Sequence, residues 1–150
     1  MRRLLCERML GRLARWLRLL GYDAPLLPEP PRIIAQDEVL LTGRQRLQGR
    51  PRVVFVAHDR LEDQLRQVIA ELGLSPEPRL FFTRCLDCNL PVEPIDRAQA
   101  AGLVPDYVLD TAPAFQRCPG CGRVFWPGSH GKRASQRLAA ILGAEPMAAD

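Results

Sequence analysis

The sequence predicts an α/β domain with a mainly parallel sheet, followed by a small metal-stapled ribbon. The first half orders its signals as strand, helix, strands, helix, the pattern in which helices cover a parallel sheet. The second half holds two C-x-x-C doublets, Cys85-Leu86-Asp87-Cys88 and Cys118-Pro119-Gly120-Cys121, whose four thiolates can close a tetrahedron around one zinc ion. A chain of 150 residues, 47% of them hydrophobic, can bury one ordinary core and carry a small appendage. The expected divisions are 1–79 for the α/β domain, 80–130 for the ribbon, 131–143 for a terminal helix, and 144–150 for a disordered tail.

Arg2 to Cys6 reads as a short buried strand entering a helix from Glu7 to Leu20. On a wheel of about 100° per residue, Met9, Leu10, Leu13, Trp16, Leu17 and Leu20 share one side, and Arg8, Arg12, Arg15 and Arg18 share the other. Four cations with no acid between them repel one another, so this face suits an anionic partner. Its apolar side is needed for the core, which argues against membrane-surface binding. Pro25 to Pro31 cannot be helix interior and forms an extended connector, with a further extended piece over Arg32 to Ala35. Val39-Leu40-Leu41 is a strand, and Gly43 to Arg52 is a loop carrying Arg44, Arg46, Arg50 and Arg52 without one acid. Val53 to Ala57 is an unbroken β-branched and aromatic run, expected to be buried on both faces. Asp59 is the expected N-cap of the next helix, with Glu62 at capping-box spacing, an apolar stripe from Leu61 to Leu72, and Gly73 as the stop.

Leu80-Phe81-Phe82 leads into the first cysteine turn. Between the turns, Pro91 to Ile95 reads as a strand, Arg97 to Ala101 as a short helix and Tyr107 to Leu109 as an extended piece. Val124 to Trp126 is a ribbon strand, and Lys132 to Leu142 the terminal helix. The four cysteines could instead pair as two disulfides, serve as a redox dithiol, or hold iron. The sequence has no leader-like or membrane-spanning run, so a reducing cytosol is expected, which favours zinc. His130 is a surface or packing residue beside four available thiolates, and Cys6, in an apolar run, is a core thiol.

Residues 1–60 contain 12 Arg against 6 acids, whereas 61–150 contain 9 basic residues against 11 acids. Arginine accounts for 20 of the 21 basic residues, Lys132 being the exception. Guanidinium binds phosphate through two parallel bonds and stacks on bases, which suits RNA. A thermophilic or GC-rich background explains the arginine bias equally well, and is in keeping with 14 Pro and a single Asn, but it does not explain the asymmetry between the halves.

The run Glu7-Arg8-Met9-Leu10-Gly11-Arg12-Leu13-Ala14-Arg15-Trp16-Leu17-Arg18-Leu19-Leu20-Gly21-Tyr22-Asp23 combines with Leu40-Leu41-Thr42, Glu62-Asp63-Gln64-Leu65, the two cysteine turns and Trp126-Pro127-Gly128-Ser129-His130. Together these resemble the Mut-seven C-terminal ribonuclease domain family, which are PIN-like nuclease domains followed by a zinc ribbon. The resemblance implies a PIN-like three-layer α/β fold, an RNA substrate class, and Cys85, Cys88, Cys118 and Cys121 as zinc ligands. Such nucleases gather carboxylates at one end of a parallel sheet to hold Mg²⁺ or Mn²⁺.

This chain departs from that pattern. Glu7 stands where the family carries aspartate, and Leu41-Thr42-Gly43-Arg44 replaces Leu-Thr-Arg-Asp, so a guanidinium takes the place of a carboxylate. The segment from Asp23 to Val39 is short, and the helix that would bring another acid is missing. An arginine in the cup disfavours a divalent cation and welcomes a phosphate oxygen. The expected function is therefore an RNA-binding protein derived from a ribonuclease, taking a structured RNA or a ribonucleoprotein. Its phosphate contacts would come from Arg8, Arg12, Arg15, Arg18, Arg44, Arg46, Arg50, Arg52, Arg84, Arg117, Arg123, Lys132 and Arg133. One alternative is an active metal-dependent endoribonuclease using Glu7, Asp37, Glu38 or Asp59, with Mg²⁺ or Mn²⁺; another is a zinc-ribbon protein adaptor.

Overall fold

A run of short apolar residues between charged ones builds the centre of the sheet. Leu4, Leu5 and Cys6 are buried on both faces of β1 (Arg3–Glu7), which places that strand inside a sheet rather than at its edge. The computed structural model describes residues 2–143, so the tail expected over 144–150 lies outside the described residues. After β1 come α1 (Gly11–Leu19), β2 (Leu26–Leu27), β3 (Glu38–Thr42), β4 (Val53–Phe55) and α2 (Leu61–Leu72). The strands lie in the order β2-β1-β3-β4, all parallel, with Leu5 opposite Leu40 and Leu41 opposite Val54. The expected α/β class with a parallel sheet is therefore present.

Side chains alternate between the two faces of this sheet. Leu4, Cys6, Val39, Leu41 and Val54 share one face and are all buried. Leu13 and Leu17 of α1 and Leu65 and Val68 of α2 are fully buried as well, and the two helices pack on each other. Burying each such leucine contributes about 1.5–3 kcal/mol. Leu5 and Leu40 lie on the other face, where they cluster with Leu47, Leu27, Ile34 and Val53, with no residue from either helix. The crossovers from β2 to β3 (28–37) and from β3 to β4 (43–52) are ten residues each and contain no α-helix, only a single 3₁₀ turn at Gln45–Leu47. Parallel crossovers usually take a dozen or more residues and a helix. The second face is therefore covered by irregular chain.

Several expectations are corrected here. Glu7 ends a strand instead of opening a helix, because β1 stays paired through Cys6 and Glu7 to Leu26 and Leu27. A 3₁₀ turn over Arg8–Leu10 follows, and α1 starts at Gly11, leaving Met9 82% exposed. The extended piece expected over Arg32 to Ala35 begins instead with a bend at Arg32 and Ile33. Val53 to Ala57 is the edge strand, shortened to three residues and only half-buried at Val53 and Phe55. Hydrophobicity alone cannot separate an edge strand shielded on its faces from a central one. The N-cap of α2 is Arg60 with no side-chain bond, so Asp59 does not cap it. The outer edge of β4 is met by a side chain: Gln67 of α2 donates from Nε2 to the Phe55 carbonyl at 2.6 Å and accepts from the Ala57 N–H at 3.1 Å.

The chain divides into two compact units, Met1–Asn89 and Leu90–Asp150. The second unit holds β5 (Glu93–Ile95), α3 (Arg97–Ala100), α4 (Asp106–Thr111), β6 (Phe115–Arg117), β7 (Val124–Phe125) and α5 (Ser129–Leu142). Its three strands form an antiparallel sheet in that order, beside a core of Ala100, Val104, Val108, Ala112, Phe115 and Val124. Tyr107 to Leu109 is helical, not extended. Val104, Val108 and Ala112 recur every four residues and are buried together, a helical period that the short segment conceals. The terminal helix begins three residues earlier than expected, at Ser129. Asp96 caps α3 in a full capping box with Gln99, through bonds of 2.7 and 2.9 Å.

Candidate functional site

Because the strands of the first unit are parallel, their carboxyl ends gather on one edge. Glu7 closes β1 there, only 2% exposed, and Thr42 closes β3, fully buried. The Thr42 hydroxyl accepts the Arg44 N–H at 2.9 Å, which turns the chain just past the strand. Arg44 then reaches back over the edge, placing Nε 3.3 Å from Glu7 Oε1 and Nη2 3.2 Å from Glu29 Oε2. Glu7 Oε1 accepts no aligned hydrogen bond, so the Arg44 contact is one of charge rather than direction. A carboxylate this deeply buried needs a cation nearby, and Arg44 supplies it.

The remaining candidate acids do not join Glu7. Asp37 and Glu38 stand at the amino end of β3, where Glu38 pairs with Arg3 at 3.0 Å and accepts the Ala35 N–H at 3.1 Å. Arg3 is in register with Glu38, so four residues of strand, roughly 13 Å at about 3.3 Å per residue, separate that end from Glu7. Neither acid can stand in for the missing carboxylate. Asp59 follows β4 and is exposed. Among the described residues, the one set of three or more ligand-bearing side chains close enough to hold a metal ion is not made of carboxylates at all.

That set is Cys85, Cys88, Cys118 and Cys121, whose Sγ atoms all lie within 4.8 Å of one another. A tetrahedron with metal–sulfur bonds of about 2.3 Å has edges of about 3.8 Å, so small shifts would close the four thiols on a zinc ion. The two turns share one backbone design. Cys85 O accepts the Asn89 N–H and Cys118 O the Gly122 N–H, both at 2.9 Å. Asn89 and Gly122 are left-handed, with φ of 61° and 77°. In each turn a backbone N–H also points at the first sulfur: Cys88 N at 3.5 Å from Cys85 Sγ, and Gly120 N at 3.4 Å from Cys118 Sγ. Such donors favour the thiolate that a metal needs. With four protein ligands and no open position, a bound ion would hold structure and supply no chemistry. His130 is exposed and outside this group.

The Mut7-C RNAse domain profile matches residues 2–138, nearly the whole chain. The chain belongs to this family. No curated protein and no solved structure gives a significant match. Membership of the Mut7-C RNAse domain family makes the protein's function ribonuclease-derived in general terms.

Within this Mut7-C chain the thirteen basic residues singled out from the sequence divide by what they touch. Arg8, Arg12, Arg46, Arg50, Lys132 and Arg133 are exposed. Arg15 is exposed too, and pairs with Asp87. Arg18 is not on that surface: it is 7% exposed, its Nε donates to Ala24 O at 2.9 Å and its Nη1 to Leu86 O at 2.6 Å. Burial pulls its pKa down, opposed mainly by Cys6. Arg84 is half-buried, donating to Gly21 O at 3.2 Å and Asn89 O at 2.8 Å. Arg52 donates to Ile34 O at 3.0 Å, and Arg117 to Gly122 O at 3.1 Å. Arg123 is exposed.

Sequence reasoning missed Asn89. Its amide donates to Asp23 Oδ1 at 2.7 Å and accepts the Ala24 N–H at 3.0 Å. One signal was available: it is the chain's single asparagine, and it holds the position after a cysteine doublet that Gly122 holds after the other.

Proposed function

We propose that this Mut7-C protein binds RNA without cutting it, through a ribonuclease edge in which an ion pair has taken the place of a catalytic cation. The observation that carries this reading is Arg44 Nε at 3.3 Å from the buried carboxylate of Glu7. A divalent ion there would need two or more further oxygens, and Asp37 and Glu38 are committed to the opposite end of the strands. A phosphate oxygen can accept from Arg44 without displacing Glu7, since the guanidinium presents five donors in a fork. The exposed cations Arg8, Arg12 and Arg46 would add phosphate contacts that weaken as salt rises. A structural zinc on the four cysteines and a reducing cytosolic setting complete the reading.

Purified protein is incubated with assorted RNAs and Mn²⁺, beside a Glu7→Gln control. Retained RNA, salt-sensitive and uncut, with no difference between the two proteins in residual cleavage, is the expected result. Cleavage that disappears in Glu7→Gln would sink the proposal in favour of a working endoribonuclease. That second reading has one specific support, the absence of an aligned hydrogen bond on Glu7 Oε1, which would be open to a cation if Arg44 swung out.

A further inference from the structure

The thinly covered face of the parallel sheet carries a groove of about 540 Å³. Its floor is apolar, with Leu40 and Val53 from the strands and Leu47 from the 3₁₀ turn. Arg32, Arg46 and Arg50 line it as well and are exposed, and their guanidinium groups have no hydrogen-bond or ion-pair partner among the described residues. The one acid lining the groove, Glu29, is already engaged by Arg44. Unpaired guanidinium groups along one apolar trough are costly to keep together unless a polyanion takes them. Through Glu29 the trough also adjoins Arg44 and Glu7 at the carboxyl edge.

We infer that this groove binds an unpaired stretch of RNA, with bases laid on the apolar floor and phosphates held by Arg32, Arg46 and Arg50. The inference rests on the RNA-binding reading above and narrows its substrate. An A-form duplex keeps its bases inside and offers only phosphates and ribose to such a trough, leaving the floor unused. A single strand offers a ring face for the floor and a phosphate for the rim at each step, which matches both halves of the lining. Guanidinium planes can also stack on the bases, which matters because no aromatic residue lines the groove.

The test is fluorescence anisotropy on the whole chain, with a labelled oligouridine, the same strand annealed to oligoadenosine, and unlabelled polyglutamate as competitor. The comparison protein is the Arg46→Ala, Arg50→Ala double variant, which should fold normally because both side chains are exposed and unpartnered; an unchanged melting temperature verifies this. The single strand should bind at least about tenfold more tightly than the duplex. Losing two phosphate contacts should cut the slope of log affinity against log salt by about 1.4, at about 0.7 per contact. Equal affinity for the duplex, an unchanged slope in the double variant, or polyglutamate competing as well as RNA would overturn the groove while leaving RNA binding in place. Failure of the unaltered protein to bind any RNA overturns both.

Discussion

The two cysteine turns have the same backbone and opposite means of support. The second is the bend of an antiparallel hairpin: β6 runs into it, β7 leaves it, and Cys118 N donates to Arg123 O at 2.9 Å across the bend. The exposed Arg117 braces it through Gly122 O. Among the described residues the first turn is flanked by no strand, only by single bridge residues at Arg84 and Pro91. It is held by side chains: Arg18 and Arg84 donate to its carbonyls, and Asn89 reaches Asp23 and Ala24. Where a hairpin supplies the geometry, side chains are free to vary; where it is missing, a buried arginine and an asparagine must replace it. The arginines of α1 are therefore not alike: Arg12 is exposed, Arg15 is exposed but paired with Asp87, and Arg18 is part of the ligand scaffold.

Metal removal is the largest perturbation of this comparison. Metal analysis should find about one zinc per chain, and a structural zinc of this kind contributes on the order of 10 kcal/mol to small ribbons. Chelation should therefore abolish amide-exchange protection across 90–143 while the helix-covered face of the first unit keeps most of its own. Simultaneous loss of protection in β1 and β3 would break the contrast. Arg18→Ala comes next, because it removes the Arg18 donor from the carbonyls of buried Ala24 and half-buried Leu86, and should cost about 2–4 kcal/mol in denaturant unfolding. The equivalent loss at the second turn, Arg117→Ala, should stay within about 0.5 kcal/mol, as expected for an exposed side chain.

Asn89 separates backbone from side chain. Asn89→Gly keeps the left-handed turn and loses two side-chain bonds, for about 1–2 kcal/mol, whereas Asn89→Ala should lose about 1 kcal/mol more from the positive φ. Equal melting temperatures for the two variants would show that the backbone conformation is not under demand there.

The last effect is nil at neutral pH, emerges only in alkali, and concerns the fifth thiol. Burial pushes Cys6 up to about 12 from its ordinary 9.0, with the Arg18 charge working against the rise. The unfolded chain sheds that proton near pH 9 and the folded chain keeps it, so this contribution is intact below pH 9 and drains away as pH climbs toward 12. Cys6→Ala should flatten that part of the stability profile; parallel profiles for the two proteins would rule the thiol out as its source.

What the sequence disclosed follows from what each signal averages over. The doublets announced a four-thiol cluster because ligand spacing is local, and the parallel sheet was legible from the order of its elements. Arg18 was misplaced because a helical wheel shows only direction around an axis, and the groups that bury this residue lie 68 positions away at the first cysteine turn. Asp59 matched a capping pattern, yet the chain adopted a helix start one residue later, with no side-chain bond at all. The Arg44–Glu7 contact was anticipated by comparison with a family pattern. The groove could not be, since it comes from two crossovers too short to hold helices.

The sheet stops at four strands for a reason visible in α2. In a parallel ladder, one residue of a neighbouring strand donates its N–H to the carbonyl before a given residue and accepts, at its own carbonyl, from the N–H after it. Gln67 does both to the residues flanking Val56, so its carboxamide imitates the N–H and C=O of a single residue of an absent fifth strand. An open strand edge is a template for recruiting other chains into fibrils. One polar side chain on a covering helix thus serves as protection against aggregation, and a leucine in its place would keep the helix while leaving that template exposed.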